Sequence, residues 1–490
     1  MKRFLRPVTL VGMAVMFAMA AVVSASGGPP GGGFYSGQTV QNVGSSPATI
    51  SVTVYNSSGG AVAGTANYNN VQPGASVTFF ASDVVVSGSL LGSAVVSSDQ
   101  PIKAIVNVTN RLAGSQGVAG GTAAAQYGGV DVTGTTISFP LAKQQFGVKT
   151  TAFYIQNAGS ADGTFSATFL MGTSPSDPSP VTYSYTSGTL HPGQMAVIIG
   201  ADATSPGPVP AGRIGSLTVT SAQPLAGTVL EYETTTSPAL ILQGTTGIPT
   251  ALYDSTILFP VVKKKLAGRS TGLQVQNVTG ADLTVVMTYK GAGGSCPSGT
   301  FPEAPVLLHS KQSTTYLDSA LLPAGCLASA SATTSTPGGK LAGVVNEAFI
   351  PCNACVQRAT TYRAFGASTA THTVVAPVFK QDFGNKRTGL SIQNISGSAA
   401  TASVVFKVGA STYTYNNLAI PAGGSSLLLD MHNSVAYPDG NWVGGAGGRL
   451  PNGSLAAVTV TANQNIIGIA NEAPINGVLQ DNINYEAFNQ

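Results

Sequence analysis

One passage is written three times in this chain. Ser138–Asn157 (SFPLAKQQFGVKTTAFYIQN), Leu258–Asn277 (LFPVVKKKLAGRSTGLQVQN) and Ala376–Asn394 (APVFKQDFGNKRTGLSIQN) each set a Pro 17 residues ahead of an Asn. A Lys follows that Pro by three in every copy: Lys143, Lys263 and Lys380. A fourth Gln-Asn stands at Gln41-Asn42, so Asn42, Asn157, Asn277 and Asn394 are spaced 115, 120 and 117 apart. Self-similarity at a fixed period restricts the fold to an array of like units. Units of this length can each bury a core of their own, which sets them apart from solenoid repeats and propeller blades of much shorter period.

The pattern within a unit is that of strands. Val40/Gln38, Ile155/Phe153, Val275/Leu273 and Ile392/Leu390 stand two and four residues before each Asn. Thr39, Gln274 and Ser391 lie between them, with Tyr154 as the large exception. That alternation predicts one buried face and one wet face. A Gly follows each Asn (Gly44, Gly159, Gly280, Gly397), as a tight hairpin asks. A second alternating run follows, for example Ile50, Val52 and Val54 against Thr49, Ser51 and Thr53. Pro73-Gly74, Pro192-Gly193 and Pro421-Ala-Gly-Gly mark a later turn, and Tyr127, Tyr253, Tyr362 and Tyr485 stand near the unit ends. About seven strands per unit predict four tandem immunoglobulin-like antiparallel β-sandwiches, an all-β chain. The units are expected at 26–133, 134–253, 254–371 and 372–490, joined by short links as semi-rigid beads in a row.

Ahead of them, Lys2, Arg3 and Arg6 precede the apolar run Val8–Val23, and Val23-Ser24-Ala25 supplies small residues. Residues 1–25 therefore read as a cleaved export signal, leaving no membrane span in the mature chain. Counting back 17 residues from Asn42 reaches position 25, so the first unit is expected to lack its opening strand and to carry an open edge. Ser26–Gly33 (SGGPPGGG) cannot supply a strand, because Pro gives no ladder donor and Gly has no side chain to pack.

The whole chain carries 22 basic and 19 acidic residues; without its first 25 residues the two are equal. Charged residues are 8% of the chain against roughly 25% ordinarily. No basic face is available for nucleic acid. A surface so poor in charge tolerates contact with further copies of itself.

Four cysteines, Cys296, Cys326, Cys352 and Cys355, all fall in the third unit. In an exported chain they predict two disulfides, Cys296–Cys326 and Cys352–Cys355; the alternative is a four-cysteine zinc site. The four histidines form no metal-binding or catalytic motif, and no G-x-S-x-G elbow or calcium loop exists. No catalytic residue, cofactor or metal is expected. Glu231, Glu347 and Glu472 recur at matching places, with Asn107-Val108 in the first unit. They are read as strand-end residues bonding a loop, or as a cation or sugar site. Lys143, Lys263 and Lys380 are read as guards of an edge strand. The sequons at Asn277 and Asn394 hint at surface positions. Trp442 is the only Trp, beside Tyr437 and Asn441 in the Gly-rich loop Asp439–Gly448; this is the one candidate ligand loop, and a packing plug is its alternative.

With the array, the leader and the low charge in view, the chain resembles exported bacterial surface proteins built of tandem immunoglobulin-like sandwiches, including surface-layer and extracellular-filament subunits. The resemblance covers residues 26–490 and rests on architecture; it carries over no functional residue. It implies a non-catalytic structural protein outside the cell, partnered by copies of itself or other envelope components. An adhesin or carbohydrate-binding array, with glycan as partner, is the second expectation, and a hydrolase the third.

Overall fold

A computed structural model describes residues 11–15, 28–30, 34–84, 90–110, 123–235, 241–349, 359–444, 448–475 and 483–490. The described chain is all-β and antiparallel, with helical turns of only three or four residues. Each of units two to four opens with a strand (Gly134–Gln144, Thr256–Lys264, Thr371–Gln381) followed by an Asn-ended second strand (Lys149–Asn157, Arg269–Asn277, Lys386–Asn394). The second strand of unit one is Phe34–Asn42.

The repeated Asn holds the turn between sheets. Asn157 is buried; its Nδ2 donates to the Ala161 and Leu190 carbonyls at 2.8 and 2.9 Å, and its Oδ1 accepts the Gly159 N–H at 2.9 Å. Asn42, Asn277 and Asn394 repeat the arrangement. Three orphan backbone groups per unit are thereby paired inside the protein. The two sequon asparagines are therefore interior, not surface, residues.

One long stretch per unit serves both sheets. In unit two it is the continuous strand Arg213–Glu233. Its first half pairs with the opening strand and with Phe165–Gly172; its second half pairs with the second strand and the closing strand Leu242–Thr246. Between the sheets lies an apolar filling that includes Phe139, Phe153 and Phe169, with ring centroids 5.0 and 5.9 Å apart.

The opening strand breaks register at its Pro, between Phe259 and Val262 and between Ala376 and Phe379. Pro contributes no N–H, and the residue after it leaves the ladder. In units three and four a buried tyrosine takes up the freed groups. Tyr362 Oη donates to the Val261 carbonyl at 2.6 Å and accepts its N–H at 3.2 Å, and Tyr485 bonds Val378 in the same way.

The units do not lie in a row. The closing strands Ala124–Gly128, Leu242–Thr246, Ala359–Arg363 and Ile483–Glu486 pack each against the next, and the last against the first. One joint recurs around this ring, where the turn at Pro192-Gly193, Ser310-Lys311 or Pro421-Ala422 docks on the preceding unit. Ser93 Oγ donates to the Gly193 carbonyl, Ser216 Oγ to Lys311 O at 2.8 Å, and Lys290 Nζ to Ala422 O at 2.7 Å. Closure from unit four to unit one is made by Ser76 Oγ on Pro377 O at 3.2 Å and by Gln490 Nε2 on Val43 O at 3.0 Å.

Ring closure also explains Tyr154. The face expected to be wet is an interface: Thr39, Tyr154, Gln274 and Ser391 are all buried. Tyr154 and Tyr232 of unit two belong to the same apolar cluster as Tyr127 and Phe79 of unit one.

Candidate functional site

Charge is concentrated where it is least exposed. Glu231, Glu347 and Glu472 each lie on the second-strand side of the long stretch, 2–4% exposed. Each sits between two cations. Lys143 and Lys149 approach Glu231 at 3.0 and 2.9 Å, Lys263 and Arg269 approach Glu347 at 2.7 and 2.9 Å, and Lys380 and Lys386 approach Glu472 at 2.8 and 3.0 Å. One cation comes from the opening strand, three residues after Pro, and the other from the start of the second strand.

Burial alone would raise these carboxyls; the paired cations more than offset it and hold all three below the ordinary value, Glu231 at about 2. The lysines are thus not guards of a free edge, and the glutamates are neither loop anchors nor an open cation site. Sequence showed both sets recurring, but only the register of opening and second strands brings them together. Asn346 of unit three adds a bond to Glu231 of unit two at 3.1 Å, so one triad also couples neighbouring units.

At one end of the ring axis all four units meet around a cavity of about 200 Å³. Its lining includes Lys103, Asp131, Arg363, Phe365, Glu486 and Phe488. Lys103 pairs with Asp131, and its Nζ lies 5.4 Å from the Phe488 ring centroid. The Glu486 carboxylate accepts the Thr245 hydroxyl at 3.1 Å and the Arg363 backbone N–H. Of these groups the Glu486 carboxylate links units two, three and four, while Lys103 and Asp131 pair within unit one.

The candidate ligand loop is packed. Trp442 is 8% exposed and stacks on Phe406, with Tyr415 edge-on. Tyr437 Oη donates to Leu427 O and accepts the Leu429 N–H, at 2.8 and 2.9 Å. Asn441 Nδ2 donates to Tyr415 Oη at 3.3 Å. No aromatic face of this trio is offered to solvent as a sugar platform.

Cys296 and Cys326 form a disulfide, tying the insertion after Gly291 to the start of Cys326–Thr334. Cys352 and Cys355 lie outside the described residues. Two exposed pairs, His191–Asp162 and His309–Asp282, both 2.8 Å, repeat beside the docking turns. Among the described residues no three His, Cys, Asp or Glu are grouped as metal ligands.

Fold and site together define an all-β assembly of sandwiches fused in one chain, with ion triads as internal fasteners. No family model and no curated protein sequence matches it. Among solved structures it is similar to Thermotoga maritima 1070, at 13% identity over 23% of this chain and 94% of that one, with a TM-score of 0.19. It is also similar to the Anabaena sensory rhodopsin transducer, at 20% identity over 20% of this chain and 94% of that one, with a TM-score of 0.15. Neither likeness extends over more than about a quarter of the chain.

Proposed function

We propose that this chain is a non-catalytic structural protein, exported and held at the cell surface as an envelope or extracellular-filament subunit. The observation that carries the reading is how its repeated polar residues are used. The Asn turns, the Lys–Glu–Lys/Arg triads and the docking serines all bond within or between sandwiches. Such residues fix a shape. A closed ring of four covalently joined units, low in charge and coated by small polar residues, suits a body that stacks or tiles with copies of itself. A leader-like N-terminal sequence supports a location outside the cell.

The test is location and form together. Immunogold labelling of cells, with negative-stain imaging of the purified chain, should show surface-bound protein and ordered assemblies of ring-shaped particles. Dispersed, soluble protein that never orders would overturn the reading.

A further inference from the structure

Unit one departs from its siblings along its opening strand, and the departures there agree with one another. Where units two to four carry their opening strand, the intact chain places Val11–Val15, antiparallel to Gly92–Ser98, with Val15 opposite Ala94. Ala94 also faces Val54, as Leu217 faces Phe169 in unit two. Val15 therefore stands where Phe139 stands, immediately before the position of Pro140. These five residues lie in the segment read as a cleaved leader, whose other residues, 1–10 and 16–25, are outside the described ones.

Beyond that point unit one lacks every residue that the second half of an opening strand would engage by charge. Val108 replaces the triad glutamate and Phe34 replaces the second cation, both buried. What remains there includes two neutral polar side chains, Ser36 and Gln38. Ser36 matches Thr151, Thr271 and Thr388 in register. In units two to four that threonine Oγ1 accepts the N–H of Lys143, Lys263 or Lys380, at 2.9, 3.1 and 2.9 Å. Ser36 is 2% exposed and its hydroxyl has no partner among the described residues. Gln38, on the same face where the siblings have Phe153, Leu273 and Leu390, is fully buried with neither amide atom bonded among the described residues. A buried polar group without a partner is destabilising, and two in one groove point to backbone groups that belong there.

We propose that unit one is a strand acceptor, and that its occupant is the N-terminal apolar segment of this chain, beginning with Val11–Val15. An added strand would bring the N–H and C=O groups that Ser36 and Gln38 lack. It must carry no charge, since Val108 and Phe34 offer a lysine no counter-ion. The run Val8–Val23 contains no charged residue, whereas a copy of Ser138–Thr150 would bring Lys143. Cutting the chain anywhere between this run and Phe34 turns a closed edge into an open docking edge. The assignment concerns the chain that retains this segment; a chain exported with the segment cleaved, as the envelope reading has it, carries the open edge.

Hydrogen exchange followed by mass spectrometry tests it on three samples. These are the intact chain, the chain starting at Ser26, and that shorter chain with a synthetic peptide of residues 11–21 bearing a soluble charged tag after its last residue. The amides of Ala94–Ser98 should exchange at least a hundredfold faster in the shorter chain, and the peptide should restore their protection. Counting from Val15, Met19 falls at the place of Lys143, so a Met19→Lys peptide should bind at least tenfold more weakly; Met13→Pro should abolish binding. Should the shorter chain fail to fold, Met13→Pro and Met19→Lys are placed in the intact chain. They should strip protection from Ala94–Ser98 and leave Leu217–Ser221 of unit two unchanged. Unchanged exchange at Ala94–Ser98, no rescue by the peptide, or a Met19→Lys peptide as tight as the natural one would each overturn the proposal. Protection that rises with protein concentration in the absence of peptide would overturn the occupant, giving the edge to a second copy.

Discussion

Unit one is a natural experiment on the triads, and it predicts how unit two responds to losing one. Glu231 is 4% exposed and held by Lys143 and Lys149, whose side chains are 14% and 17% exposed. Its carboxyl titrates at about 2 against an ordinary 4.5. That depression favours the ionised, folded form at neutral pH by something on the order of a few kcal/mol. Glu231→Val leaves two buried cations facing each other, and removing one partner of such a group costs about 3–5 kcal/mol. The triple change Lys143→Met, Glu231→Val, Lys149→Phe reproduces the apolar solution of unit one and is expected to lie within about 1 kcal/mol of the natural chain. Hydrogen exchange in Lys149–Asn157 and Arg213–Glu233 reports unit two locally. At about 1.4 kcal/mol per decade, the single variant should lose on the order of a hundred- to several-thousand-fold protection and the triple less than tenfold. A single variant within tenfold of the natural chain, or a triple as damaged as the single, would refute the reasoning.

Stability should also follow the triads with pH. The folded carboxyls of Glu231, Glu347 and Glu472 are depressed, so their contribution is full above the unfolded value near 4.5 and is lost as pH falls through the folded values. Calorimetry should show a melting temperature that is flat from neutrality to about pH 5 and falls steeply between about 4.5 and 2. Tyr485→Phe strands both backbone groups of Val378 and should cost about 1–3 kcal/mol, with faster exchange at the Pro377 bulge as the readout. Replacing Cys296 and Cys326 by Ser opens a crosslink of sequence separation 30; loop entropy puts the loss at roughly 3–4 kcal/mol, visible as a lower melting temperature. Trp442, the sole Trp, should emit as a buried indole, and Trp442→Ala should cost about 3–5 kcal/mol through lost packing on Phe406 and Tyr415.

What the sequence determined by itself is local and periodic. Alternating apolar residues before Asn42, Asn157, Asn277 and Asn394 call for strands, because successive side chains on a strand point to opposite faces. The Asn and the following Gly call for a turn, since a short amide can bond backbone groups close by in the chain. The Cys296–Cys326 pairing was legible from count and context. What tertiary structure decided is every matter of partners distant in sequence. Lys143 and Glu231 are 88 residues apart in the chain, and nothing in either stretch shows that register sets them 3.0 Å apart. Thr39, Gln274 and Ser391 have the composition of a wet face, yet closure of the ring buries them, because a polar side chain is as acceptable in an interface as in water when it is paired there. The apolar run Val8–Val23 reads as a leader for its hydrophobicity, while Val11–Val15 within it occupies a strand position for its backbone. Apolar character alone does not choose between those uses. The strand partner of Val11–Val15, Gly92–Ser98, lies far along the chain, where no local pattern shows it.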